Sequence, residues 1–161
     1  MPAFNNFRSF EALDSCHQQI QSNLDALGLV VSKFCEGGWD DQTRQSAQEI
    51  ETFFSNVARS HHAAEETEVF PCLLNSEDEE MVLKVRDLIE DHFWIEKYWH
   101  DLAPMLAAIG SGSSSTEAVV LAKAAKLFLD LCNCHIESEE SMIYPQAKAS
   151  MARLFARDVT G

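Results

Sequence analysis

Six side chains in this sequence combine metal-donor chemistry with regular spacing. His61 and Glu65 stand four residues apart in HHAAEETEVFP (61–71), and His135 and Glu139 four apart in HIESEESMIYP (135–145). On a helix, residues i and i+4 share a face, so each segment would present an imidazole beside a carboxylate. The two segments also read as an internal repeat, with the histidine, the Glu-Glu pair and the closing proline in matching places. That alignment pairs His61 rather than His62 with His135, and Glu65 rather than Glu140's counterpart Glu66 with Glu139. His17 and His92 add two further imidazoles from other segments. Imidazole with carboxylate, and without thiolate, suits iron or manganese held between helices better than a structural zinc site, which draws on cysteine.

The elements that must carry these donors follow from hydrophobic period. Phe10, Leu13, His17, Ile20, Leu24, Leu27, Val31 and Phe34 keep 3,4 spacing. So do Ala47, Ile50, Phe54, Val57 and His61; Met81, Val85, Leu88, His92, Ile95, Trp99, Leu102 and Leu106; and Leu121, Ala124, Phe128, Leu131, His135 and Met142. Such stripes are the inward seams of four amphipathic helices, and each contains one histidine where an apolar residue is due. Burying four imidazoles together costs on the order of a few kcal/mol each unless something pairs with them, and a cation is the economical partner. Breaks fall at Gly37-Gly38-Trp39-Asp40-Asp41, at Pro71 to Asn75-Ser76, and at Gly110 to Ser115. Ser76 with Glu79, and Ser114 with Glu117, have the form of capping boxes. Pro104 is expected to bend the third helix, and Pro71 and Pro145 to end or kink the second and fourth, with a short helix after Pro145. Because His17 and His61 lie at similar counts from the first turn, and His92 and His135 from the third, all four rings should meet in one layer of an all-α, up-and-down antiparallel four-helix bundle.

Composition narrows the class. At 161 residues the chain fits a single domain, 1–161, with the bundle over about 8–148. No apolar run is long enough to cross a membrane, and a net charge of −14 disfavours nucleic acid and anionic lipid as partners. Five scattered cysteines and an N-terminus without a secretory pattern point to reduced thiols and the cytoplasm. Cys132 and Cys134 flank one residue, so their sulfurs sit about 200° apart on a helix and cannot both face the seam. His62 and His100 read as surface or outer residues, Glu66 and Glu140 as a solvated face, and Trp94, Tyr98, Trp99 and Tyr144 as packing, where an aromatic near the site could shield it. Glu96, four residues after His92, has three readings: a further ligand, an acceptor for an imidazole N–H, or a partner for Lys97 or another cation.

One histidine in the first helix, H-x-x-x-E in the second, one histidine in the third and H-x-x-x-E in the fourth resemble the hemerythrin-like proteins, specifically the bacterial HHE cation-binding branch, over about residues 8–148. The resemblance implies a non-haem di-iron centre, with two iron ions and a bridging oxo or hydroxo group, ligated by His17, His61, Glu65, His92, His135 and Glu139; zinc and manganese rank below iron. It implies a protein that binds, senses or reacts with O2, NO or peroxide, or handles iron under oxidative or nitrosative stress. Oxygen-carrying hemerythrins have a histidine where this chain has Glu96, and a differently spaced aspartate in the fourth helix. The ligand pattern is closer to that of di-iron proteins that repair iron-sulfur clusters, although those carry an additional cysteine-containing N-terminal domain. The alternative from another class is a helical interaction module that holds zinc or no metal.

Overall fold

The computed structural model describes residues 6–113 and 115–161, with side chains from Phe10 onward. In chain order the helices are α1 (Asn6–Cys35), α2 (Asp41–Ala64), α3 (Phe70–Leu74), α4 (Glu79–Gly110), α5 (Ala118–Ser138) and α6 (Tyr144–Thr160), with no strand among the described residues. α1, α2, α4 and α5 pack as a closed ring of four, each against its two neighbours. Short connections make successive long helices antiparallel, which is the up-and-down bundle that the four stripes predict.

Local chemistry sets where the helices stop. α1 ends at Gly37, whose φ of +75° is a conformation that glycine adopts without steric cost, and Asp40 then caps α2 by accepting from the Thr43 amide at 2.9 Å. The cap of α4 differs from the expected box. Asp78, not Ser76, accepts from the Glu80 and Met81 amides at 3.1 and 3.2 Å, while the Ser76 hydroxyl accepts from the Asp78 amide. A carboxylate closer to the helix wins because it reaches two of the first free amides at once. α5 starts after Glu117 with no side-chain cap, and Ser114 lies outside the described residues. α4 runs on through Pro104 to Gly110, and the segment after Pro145 is longer than the short helix expected.

Both predicted proline breaks take one form. Glu65–Val69 and Glu139–Ile143 are single π-helical turns, closed by Phe70 N–H to Glu65 O and Tyr144 N–H to Glu139 O. Pro71 and Pro145 follow at once, in the first turn of α3 and α6. A proline ring clashes with the carbonyl four residues back in an α-helix, and the wider turn relieves that clash by inserting one residue. This insertion explains why Ile143 is buried and Met142, the expected stripe residue, is 38% exposed. Elsewhere the stripes shift by a residue: Val30, Ala58, Ala125 and Cys132 are buried where the 3,4 pattern puts Val31, Val57, Ala124 and Leu131. A period of 3.6 needs occasional 4,4 steps, and small residues take the inner position where rings such as Phe54 and Phe128 crowd, their centroids 5.1 Å apart.

The core is split. One apolar cluster runs from Ile20, Ala58, Ile95 and Cys132 toward the α1–α2 turn; a second contains Leu13, Val69, Leu88 and Ile143. Between them, on every long helix, comes the histidine. Replacing Asp78 with Ala should lower unfolding free energy by about 1 kcal/mol in urea titrations, and Ser76→Ala by clearly less, because only the first loses the α4 cap.

Candidate metal centre

The polar layer between the two apolar clusters is built from the six residues singled out by spacing. His17, His61, Glu65, His92, His135 and Glu139 are all buried, and the two glutamates have no exposed surface. All four rings present Nε2 to the middle. His61 Nε2 lies 2.9 Å from Glu65 Oε1, and His135 Nε2 lies 2.9 Å from Glu139 Oε1, so the i+4 pairs meet as the helix geometry requires. His17 Nε2 is 3.0 Å from Glu139 Oε2, and His92 Nε2 is 3.1 Å from Glu65 Oε2. Each glutamate therefore touches a histidine of its own helix and one from another.

Two overlapping donor groups result. His17 and His61, and separately His92 and His135, can each hold a cation together with both Glu65 and Glu139, with donor atoms within 4.8 Å of one another. His61 Nε2, Glu65 Oε2 and both carboxylate oxygens of Glu139 are fully buried yet make no directed hydrogen bond. Such orphaned buried acceptors are rare in folded proteins. Donor atoms that crowd at contact distance without hydrogen-bond geometry fit lone pairs aimed at a shared ion.

The sequence profile of the hemerythrin HHE cation-binding domain matches residues 8–147. The chain belongs to this family. A search among curated proteins gave no match.

Around the six donors this HHE domain has a further set of contacts that spacing alone did not expose. His92 Nδ1 donates to Glu66 at 2.7 Å, His17 Nδ1 to Glu140 at 3.2 Å, and His135 Nδ1 to Asp91 at 3.2 Å. Glu66 and Glu140, expected on a solvated face, are partly exposed yet orient the rings of a neighbouring helix. The doubling of glutamate in the repeat was the available signal. The first of each pair turns to the centre and the second reaches across. His61 Nδ1 alone lacks a carboxylate, and the Cys16 side chain lies beside it. Tyr144 is more than packing: its hydroxyl donates to Glu65 and lies 3.2 Å from His17 Nε2.

Glu96 is on the surface, where it accepts from Arg59 at 3.0 Å, so the surface-cation reading holds with a different cation; Lys97 lies over the Trp94 ring. Cys132 is buried and Cys134 exposed, so the two sulfurs do diverge, and all five cysteines are free. His100 is exposed, and His62 takes the outer of the two expected places: its ring stacks on His92 at 4.1 Å with planes 19° apart. His62, His92 and His135 also lie close enough to suggest a three-imidazole group. Rings stacked nearly parallel direct their in-plane lone pairs side by side, so His62 does not converge with His92 on one point.

Electrostatics in the metal-free domain are set by the same contacts. Burial disfavours charge on His17, but the adjoining Glu139 and Glu65 carboxylates outweigh it and push its pKa up to about 10; His92 likewise reaches about 10. Burial is also outweighed at His61, by Cys16 and Glu65, and its pKa reaches about 9. For Glu139, burial and the Glu65 charge favour the neutral acid, yet the adjoining imidazoles of His135, His17 and His92 hold it at about 2. His62, half-buried and next to His92, is pushed down to about 3 by loss of solvent and by the neighbouring imidazoles, and is neutral.

These shifts fix a pH dependence. Relative to an unfolded value of 6.5, the raised imidazoles stabilise the metal-free fold fully below pH 6.5, and that contribution is lost as pH climbs through about 9 to 10. Glu139 contributes above its unfolded value of 4.5, and the contribution is lost as pH falls toward about 2. Because His62 stays neutral in the fold down to about 3, the unfolded chain takes up an extra proton below pH 6.5, so chemical denaturation of metal-free protein should show greatest stability near pH 6.5, with a decline toward pH 10; rising stability across that upper range would contradict the arrangement.

Proposed function

We propose that the chain is a non-haem di-iron-binding protein, in which His17 and His61 would hold one ion and His92 and His135 the other, with Glu65 and Glu139 available to both. The observation that carries this reading is the buried layer in which imidazoles and carboxylates form two groups with donor atoms within 4.8 Å of one another, while His61 Nε2, Glu65 Oε2 and both Glu139 oxygens lack a directed hydrogen bond. The donor set has two carboxylates, four imidazoles and no thiolate. That composition suits iron in a helical bundle better than zinc.

The chain's own residues then have definable roles. Glu66, Glu140 and Asp91 hold the Nδ1–H of three imidazoles, which fixes the tautomer that leaves Nε2 free to donate and makes those rings stronger ligands. Tyr144 steadies Glu65 through its hydroxyl. The two apolar clusters exclude water from the layer. When bound, a pair of irons supplies redox chemistry and an open position for a small ligand. We therefore read the protein as one that binds, senses or reacts with O2, NO or peroxide, or handles iron under oxidative or nitrosative stress. Free thiols at all five cysteines fit a reducing compartment such as the cytoplasm.

Protein purified in air after growth with iron should hold about two irons per chain and absorb in the near ultraviolet, as oxo-bridged ferric pairs do. A zinc-loaded or metal-free, colourless protein after iron reconstitution would instead favour the interaction-module alternative. Loading the metal-free protein at pH 7 should release a proton from each of His17, His61 and His92, because ligation needs the neutral ring. Calorimetry in buffers of different ionisation enthalpy measures that release. Glu65→Ala removes a donor common to both ions and should cost more bound metal than His61→Ala, which removes a donor to one.

A further inference from the structure

Two cavities meet on one side of the buried layer. The outer one, about 370 Å³, is a cleft between α2 and α4 that reaches Trp99, Ala103 and Pro104. The inner one, about 10 Å³, touches His17, His61, His135 and Glu139. Both are lined by Phe54, Ala58, Ile95 and His62, so these four residues form the wall between surface cleft and buried layer. Cavities along α1 and between α3 and α6 touch none of the six donors.

We propose that the α2–α4 cleft is the route by which a small uncharged ligand of two heavy atoms reaches the metal layer, with the His62 ring as the stopper at its inner end. This rests on the di-iron reading above. The size limit follows from the inner chamber, which at about 10 Å³ has room for about one water, so a ligand of two heavy atoms already fills it and nothing larger enters without the walls giving way. The charge limit follows from the neck, where three of the four shared residues are apolar and an ion would lose its hydration without replacement. Glu51 lines the outer cleft, where Glu96 is paired with Arg59, and the chain's net charge of −14 further disfavours anions.

His62 is suited to a moving part. Among the described residues its ring is held by stacking and edge contacts with other imidazoles: His92 stacked at 4.1 Å, with His135 at 5.7 Å and His61 at 5.9 Å roughly edge-on. No ion pair therefore has to break when the ring turns aside. The Arg59–Glu96 pair, 3.0 Å long, joins α2 to α4 across the cleft and keeps its walls together while the stopper moves.

Two variants and one probe test the route. Ala103 is half-buried in the cleft wall and belongs to neither core cluster, so Ala103→Trp fills the cleft without repacking the core. In the reduced, iron-loaded protein, stopped-flow NO binding should slow by about tenfold or more in Ala103→Trp. In His62→Ala, NO binding should speed up, and azide, an anion that the native neck is expected to admit slowly, should bind faster than in the native protein by about tenfold or more. Rates within about twofold of the native protein in both variants, at unchanged iron content and helical circular dichroism, would overturn the proposal. Crystals pressurised with xenon give a readout independent of iron: xenon in the cleft or at the neck near Phe54 and Ile95 supports the route, and its absence there contradicts it. A native protein that binds no iron yet takes up xenon at the neck would sink the di-iron reading and leave the passage standing.

Discussion

Two carboxylates without access to water set the terms for the rest of this structure. Glu65 and Glu139 are fully buried, and each raises the cost of ionising the other. A charge taken out of water costs several kcal/mol even after relaxation, so the pair can be kept only among positive charge. Without metal the imidazoles supply it, since the carboxylates raise the pKa of all four rings, and cations can take the place of their protons. The apolar clusters above and below the layer make the constraint strict, because neither side offers water to a misplaced oxygen. Fold and site are therefore one problem: the bundle must bring four helices to the same height or strand two charges in its core.

The repeated segment shows how this is met. In both copies an α-helical turn carries histidine to glutamate, a π turn starts at that glutamate, and proline restarts the α-helix. The extra residue rotates the chain beyond it, so Val69 and Phe70 in one copy, and Ile143 and Tyr144 in the other, close the layer from below. The copies are not equivalent. Tyr144 brings a hydroxyl to Glu65 where Phe70 brings a plain ring beside His92. Asp91, one residue before His92, serves His135, whereas Cys16, one residue before His17, lies beside His61. A carboxylate partner makes an imidazole a stronger donor, so the two halves of the layer differ in ligand strength.

Much of this is legible from spacing. The four stripes fix the bundle because burial demands a 3.6 period, and the i+4 pairs are local enough that no tertiary information is needed to put imidazole beside carboxylate. The features that spacing misses depend on contacts between helices. Glu66 and Glu140 point off the seam of their own helix, and only the neighbouring helix makes them partners of His92 and His17. His62 is likewise off-seam on α2 and gains its place by stacking on α4. Sequence pattern favours Ser76 over Asp78 as the cap of α4 although the two offer similar chemistry two residues apart, and loop geometry decides for Asp78. Met142 falls off the seam because a π turn leaves no mark in an apolar pattern beyond the proline after it.

Anomalous diffraction at the iron edge, from crystals of iron-loaded protein, tests the central claim most directly. Two peaks are expected in the buried layer, one between His17 and His61 and the other between His92 and His135, each within ligating distance of Glu65 and Glu139. A lone peak elsewhere, or an iron-saturated crystal with no anomalous density between the two glutamates, would contradict it.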